Sequence, residues 1–454
     1  MEELFEQLQD DTQSFWQSPS AGGGGGGGIR RLDAMPSPAD FFRDYVATST
    51  PVIISSVGTA SSAACFKAAA HCSTWEDVST LVGRGRRGLD GDDDDLEVTV
   101  DFTPDGRGDC VVDVARSMML SSSSSSSNGI SSKGGSKTSD VGKQEQGSGG
   151  SSNRPGNATG FGGDSPAAAA AAGGGGKEAV PGTTAVFVKP EERRVNFETF
   201  LGMLSETATT ASSVSSIGGS SSTLRSNSSD DTDGEVAYLS HQNDSLRQEF
   251  PGLMEDVEPF LALAREAFGN EPDAVNLWIG DERSLSAVHK DHYENMYCVV
   301  RGEKHFTLLP PSDVLFLHEQ EYPQGRYRRA RREGGGEGAG TGAGAGGFEV
   351  VMEEGTVPWV PVDPAHPDLD KYPLFRYASP VHCRVGPGDI LYLPALWYHR
   401  VAQKGITVAV NYWHDMQFDH KYVYYRFLQT LAAKLQKEVV LRPAGGTGVG
   451  GGVG

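Results

Sequence analysis

Cysteine is scarce in this chain: five among 454 residues, at positions 65, 72, 110, 298 and 383. None forms a Cys-x-x-Cys pair, which excludes zinc fingers and a disulfide framework. An odd, sparse set of thiols fits a reducing setting, so a cytoplasmic and also nuclear location is expected. No run of about 18 apolar residues occurs, which excludes a spanning helix, and no membrane partner is expected. The start, MEELFEQLQDDTQSFW, lacks the basic and apolar regions of a secretory signal and has the wrong charge for a transit peptide. Positive charge is also short. The 39 Lys and Arg stand against 60 Asp and Glu, a net −21, so a broad nucleic-acid face is not expected. The local exception is Arg326, Arg328, Arg329, Arg331 and Arg332, beside the Gly-rich stretch 334–347. It reads as a solvated loop.

Glycine, in contrast, is abundant: 59 residues, about twice the usual share. The excess sits in low-complexity runs such as Gly22–Gly28 and Gly173–Gly176, alongside Ser121–Ser127 and Ala167–Ala172. Five stretches follow. Residues 1–28 hold a short amphipathic helix, with Leu4, Phe5, Leu8 and Phe15 as its apolar positions, and a Gly linker. Residues 29–120 read as the N-terminal part of a catalytic domain. Residues 121–182 lack large apolar side chains that could offset their ordering entropy, and are expected to be a disordered insertion. Residues 183–443 form the core, with polar insertions near 207–234 and 334–347. Residues 444–454 are a flexible tail.

Within 29–120, Ser37 followed by Pro38 signals a helix start. PVIISSV (51–57) reads as a strand, CSTWEDVSTLVG (72–83) as a helix, and LEVTVDFTPDG (96–106) as a strand ending in a Pro-Asp-Gly turn. TAVFVKP (184–190) is a strand, and VNFETFLGMLSE (195–206) and PGLMEDVEPFLALAREAFG (251–269) are helices, the last stopped at Gly269. From 273 the texture changes to short strands: AVNLWIG (274–280), MYCVV (296–300), EKHFTLLP (303–310), FEVV (348–351), DILYLP (389–394) and ITVAVNYW (406–413), with Gly302, Gly388 and Gly405 marking turns. Such a pattern predicts a mainly β fold, an antiparallel barrel or double-sheet jelly roll with flanking helices. FDHKYVYYRFLQTLAAKLQKEVV (418–440) is a helix with two apolar sides. It packs either on its own barrel or on a second copy as a homodimer.

The chemistry is concentrated in VHKDHYENMYCVVRGEKHF (288–306). His289 and Asp291 are two apart, which on a strand puts both on one face. His399, in WYHRV (397–401), supplies a third ligand. Two imidazoles and one carboxylate on one side of a metal leave the other side open, the arrangement of non-haem iron(II) oxygen chemistry. An H-x-D pair with a distant His is common by chance, and three neighbours strengthen it. Asn295 is placed to hydrogen-bond a bound carboxylate. Lys304, past an Arg301-Gly302 turn, returns its ammonium to the pocket mouth, where burial among apolar strands demands an anionic partner. Asn411 offers a second amide. These groups suit a short dianionic acid. Tyr297 shares the parity of His289 and Asp291 and is as fit for the pocket as for the core. His292 and His305 have the opposite parity from their neighbours and read as surface or supporting residues. Trp397 and Trp413 read as core aromatics, Cys298 as a buried strand residue, and His382 and His414 carry no signal of their own.

HKDHYENMYCVVRGEKHF together with GPGDILYLPALWYHRVAQKGITVAVNYW (386–413) resembles the JmjC hydroxylases, iron(II)- and 2-oxoglutarate-dependent oxygenases on a cupin-type double-stranded β-helix. The resemblance extends through PSPADFFRDYV, FTPDG, PDAVNLWIGD and VPWVPVDP, and breaks only at the low-complexity stretches. It implies that His289, Asp291 and His399 ligate Fe(II), and that Lys304 pairs with the distal carboxylate of 2-oxoglutarate, with O2 as the second cosubstrate. It implies that Tyr238 hydrogen-bonds the same carboxylate and that Asn295 and Asn411 line the pocket. Ser286 stands where some relatives carry threonine, and that contact is left open. The implied activity is lysyl hydroxylation at C3, on a lysine-bearing GTP-binding protein of the developmentally regulated class. The rival readings are N-methyl-lysine demethylation, metal-dependent peptide hydrolysis of basic tails, and a non-catalytic cupin scaffold.

Overall fold

The computed structural model describes residues 2–17, 28–55, 81, 96–115, 119–121, 183–204, 235–330 and 347–440. The expected Gly linker, the helix 72–83, the insertions 121–182, 207–234 and 334–347, and the tail 444–454 lie, apart from their margins, outside these residues. The flanks of the long insertion belong to one compact unit, Met1–Ser122 with Ala179–Gly454.

The centre of this unit is a nine-stranded sheet dominated by two long strands. The strands that matter for the site, drawn from this sheet and its two neighbours, are in chain order β1 Val236–Tyr238 (in a three-stranded sheet), β2 Ala274–Gly280, β3 Leu285–His289, β4 Tyr293–Leu309, β5 Gln320–Arg329 and β6 Phe348–Trp359 (both in a five-stranded sheet), β7 Val381–Val385, β8 Asp389–Leu393 and β9 Tyr398–Asp415. Strands β4 and β9 run antiparallel along their whole lengths. β2 pairs with the second half of β9 and β3 with its first half, while β7 and β8 pair with successive parts of β4. Because β4 and β9 each serve neighbours on both edges, the sheet curls on itself, the jelly roll expected from the strand pattern. β2 is buried at every position, as a strand covered on both faces must be.

One sequence expectation about this hairpin is corrected. Arg301-Gly302 is not a turn that sends Lys304 back. It is an irregularity inside one continuous strand: the register shifts between Val299 and Arg301 and again between Arg301 and Glu303. Gly302 sits at φ 69°, where a Cβ would lie 2.6 Å from the Ile406 carbonyl oxygen. The extra residue flips the facing of everything after it. As a result Phe306 lines the same pocket as Asn295 and Tyr297, although it has the other parity.

Segments from 29–120 complete the sheet. Ser37 caps the helix start Pro38–Phe41 as expected, its side chain accepting from the Asp40 N–H. The strand Val52–Ser55 pairs with β8, and Arg107–Gly108 pairs in parallel with β3. A second sheet of five strands contains β5 and β6. Here the reading of the arginine cluster is corrected in part: Arg326, Arg328 and Arg329 lie in β5, not in a loop, while Arg331 and Arg332 lie outside the described residues. The three in β5 pair with Glu192 and Glu353, with Glu349, and with Glu235 respectively. The single helix expected over 251–269 is instead a 3-10 turn at Leu253–Glu255 and a helix at Ala262–Phe268. Pro259 lies between them, and the residue before a proline is pushed out of helical backbone. Gly269 ends the second piece at φ 77°, as read from sequence.

Two terminal helices pack over one side. The N-terminal helix α1, Glu2–Gln17, seats Phe5 against Phe316 and Tyr377. The C-terminal helix α2, His420–Val440, buries Tyr425 and Ala432 in the same cluster. Its other side leaves Val423, Tyr424 and Phe427 about two thirds exposed, at 64%, 65% and 65%. No described helix is long and apolar enough to cross a membrane.

Candidate metal centre

The end of β3 and the start of β9 place His289 directly opposite His399 across an antiparallel pair. Their ring centroids are 4.2 Å apart. Asp291 Oδ2 lies 4.0 Å from His289 Nε2 and 3.6 Å from His399 Nε2. One ligand atom from each of the three lies within 4.8 Å of the others, and among the described residues this is the one such cluster.

The backbone decides which nitrogen each imidazole presents. His289 Nδ1 lies 2.8 Å from the Ala287 carbonyl, and His399 Nδ1 lies 3.0 Å from the Trp397 carbonyl. A carbonyl only accepts, so each Nδ1 carries its proton and each Nε2 lone pair faces Asp291. Burial, with His289 beside it, pushes His399 down to about 4, which keeps it neutral and ready to ligate. This donor set, two neutral imidazoles and a carboxylate on one side of an open space, fits a divalent iron. The plane of His289 is set by Trp359, stacked on it at 6.3 Å and 6°.

A polar floor lies deeper in the barrel. Lys304 is 1% exposed. Its Nζ donates to the Tyr238 hydroxyl at 3.0 Å and to Gln403 Oε1. Gln403 is aimed by its own bonds: Nε2 donates to the Asp281 carbonyl at 2.7 Å, and Oε1 also accepts from Thr407. Burial alone pushes Lys304 down to about 7, and burial raises Tyr238, which is hydrogen-bonded to Ser286. Among the described residues no carboxylate pairs with Lys304. The buried ammonium is met only by neutral oxygens, the condition in which an acid ligand is favoured.

Nearly every residue singled out in the sequence meets in one cavity. Tyr238, Ser286, His289, Asp291, Asn295, Tyr297, His399 and Asn411 all line it, with Lys304 behind Tyr238. Tyr297 is thus a pocket residue, and so is Trp413. The two amides are also bonded to each other: Asn411 Nδ2 donates to Asn295 Oδ1 at 3.2 Å, and Asn411 Oδ1 accepts from Trp278 Nε1 at 2.9 Å. Asn411 therefore aims Asn295. His292 stacks on Phe418 and His305 bonds Glu303, both away from the cluster. Sequence reading missed Gln403, Trp278, Phe306 and Trp359. Gln403 was within reach, since 399, 401 and 403 alternate along one strand. Trp359 was not, because it arrives from the second sheet.

A family model described as a cupin-like domain matches residues 38–420. The chain is 45% identical over 213 residues to a lysine-specific demethylase, JMJ32, from Arabidopsis thaliana. It is 44% identical over 198 residues to a bifunctional peptidase and (3S)-lysyl hydroxylase, JMJD7, from Homo sapiens. These matches cover 44% and 43% of this chain, and the chain spans 58% of the length of each relative. A JmjC domain-containing protein E from Dictyostelium discoideum is 34% identical over 274 residues, which is 57% of this chain and 70% of that protein.

Proposed function

Because the chain belongs to the cupin-like JmjC family, we propose that it is an iron(II)- and 2-oxoglutarate-dependent protein hydroxylase acting on a lysine side chain. The observation that carries this reading is Lys304: a buried ammonium with no carboxylate partner among the described residues, hydrogen-bonded to Tyr238, which lines the same cavity as the His-Asp-His cluster. His289, Asp291 and His399 would hold Fe(II), which with 2-oxoglutarate and O2 supplies the oxidising chemistry that no side chain can.

The residues of the chain do the rest. Lys304 and Tyr238 donate to the distal carboxylate of the cosubstrate, replacing the bonds that Lys304 now makes with neutral oxygens. Asn295, aimed by Asn411, offers an amide to the end nearer the metal. Trp278, Phe306 and Trp413 wall the cavity and keep water out, which strengthens each charged contact inside it. The carbonyls of Ala287 and Trp397 hold the two imidazole protons away from the metal throughout.

The proposed target is a lysine in a GTP-binding protein of the developmentally regulated class, acting as a peptide or folded partner, with cytoplasm and nucleus as the setting. Demethylation is the second reading, favoured by the similarity to the Arabidopsis demethylase. We also propose that a second copy of the chain covers Val423, Tyr424 and Phe427. The test of the activity is incubation of the full chain with Fe(II), 2-oxoglutarate and the unmethylated lysine peptide. Gain of one oxygen by mass spectrometry, lost in Lys304→Met, supports hydroxylation. Formaldehyde released only from methylated peptides would overturn it in favour of demethylation.

A further inference from the structure

Two side chains adjacent to the ligand residues, Lys290 and Tyr398, meet at a single carboxylate. Lys290 stands between His289 and Asp291, and its Nζ lies 2.9 Å from Glu319 Oε2. Tyr398 immediately precedes His399, and its hydroxyl donates to the same oxygen at 2.8 Å. The Tyr398 hydroxyl is also 2.9 Å from that of Tyr425 in α2, and Gln429, one turn further along α2, donates its Nε2 to Glu319 Oε1. Glu319 is little exposed, with 7% of its side chain reached by solvent. Burial acts to raise its pKa, yet Lys290 and the donors from Tyr398 and Gln429 hold it below the usual carboxylate range.

The same stretch reaches the pocket by a second route. The residue after Glu319, Gln320, is opposite Trp359 in the β5–β6 pair, and Trp359 is the ring stacked on His289. The two ligand-bearing segments are joined by the β3–β9 pairing at Ser286 and His289 and, beyond it, by a backbone bond from the Leu396 N–H to the Asp291 carbonyl at 2.9 Å.

We infer that Glu319, with Tyr425 and Gln429 of the C-terminal helix, is a positioning clamp that orients the His289–Asp291 segment and the His399 strand through Lys290 and Tyr398, so that this hydrogen-bond network tunes metal affinity. The physical reason is geometric. Lys290 and Tyr398 are each one residue from a ligand on an extended backbone, so a shift of either side chain rotates the ligand beside it. Glu319 touches no ligand and acts only through those two neighbours. This inference rests on the His-Asp-His cluster being a metal site, and it concerns this chain's own scaffold rather than the reaction performed there.

The test uses the full chain and Co(II) alone as probe, followed by its visible absorption. Truncating Glu319 by itself strands a buried ammonium and can unfold the protein, so three other variants are used. Tyr425→Phe removes one hydroxyl from the network. The pair Lys290→Met with Glu319→Met removes both charges at similar volume. Leu428→Ala loosens the same helix without touching the network. Tyr425→Phe and the double variant should stay folded, bind Co(II) about tenfold more weakly and show an altered absorption envelope. Leu428→Ala should lower Tm and leave the Co(II) spectrum native. Native affinity and spectrum in a folded double variant would overturn the clamp and leave the metal site standing, as would an equal spectral change in Leu428→Ala. Failure of the unaltered protein to bind Co(II) would overturn both.

Discussion

Lys304 Nζ and the Tyr238 hydroxyl lie 3.0 Å apart, and Tyr238 lines the cavity that also holds two imidazoles and a carboxylate. An ammonium buried this deeply among neutral oxygens is a poor resting state. The electrostatics of the site are therefore incomplete without an anion, and this gives the first prediction.

Burial holds Lys304 down to about 7 from its ordinary 10.5. Between those values the unfolded chain binds a proton at Lys304 that the folded chain has released. Folded stability from this group therefore rises with pH through that window, and is lost as pH falls back to about 7. Lys304→Met has no such slope. Thermal melts of both ligand-free proteins, from about pH 6 to 11, should show the difference in Tm moving toward the native protein only above about pH 7. A flat difference would mean that the ammonium keeps its charge. Conversely, 2-oxoglutarate needs the charged form, so its affinity should weaken as pH rises above about 7.

Among the described residues the Asp291 carboxylate is paired with the two imidazoles alone. Asp291→Ala should keep the fold, with a change in metal-free stability within about 0.5 kcal/mol. It should lose more metal affinity than the roughly 10–100-fold that follows loss of an outer partner. Calorimetric titration with Mn(II) and a thermal melt give the two numbers, and undiminished Mn(II) binding would remove Asp291 from the site.

Gly280 is the point where the floor needs the absence of a side chain. A Cβ there would lie 2.6 Å from Tyr238 Cδ2 and 2.7 Å from Gln403 Nε2. Gly280→Ala should cost about 1–3 kcal/mol by overpacking. It should weaken 2-oxoglutarate binding while sparing Co(II) binding, because the residues it displaces touch Lys304 and not the imidazoles. Equal loss of both ligands would show that the floor and the metal cluster are not separable in this way.

The exposed face of α2 gives the fourth prediction. If a second copy covers Val423, Tyr424 and Phe427, light scattering should report a dimer for the native chain and a monomer for Phe427→Asp, with Tm little changed. A native monomer at tens of micromolar would discard the self-association reading.

The residue types and spacings of the site were legible in the sequence because they are local. His289 and Asp291 share a face by strand parity alone, Ser37-Pro38 is a helix start wherever it occurs, and Gly269 is a helix stop. The class of fold was legible for the same reason, since short β-branched strands between turn residues have few ways to bury one face. What tertiary structure decided was every relation that crosses the sheet. The irregularity at Gly302 could not be read from a Gly that equally well makes a turn, yet it sets the face on which Lys304 and Phe306 lie. Trp359 reaches His289 only because a second sheet delivers it. Glu319 meets Lys290, Tyr398, Tyr425 and Gln429 across up to 110 positions of chain. Parity and capping are properties of a few consecutive backbone units, whereas these contacts depend on how the long strands are registered, which no local run of residues encodes.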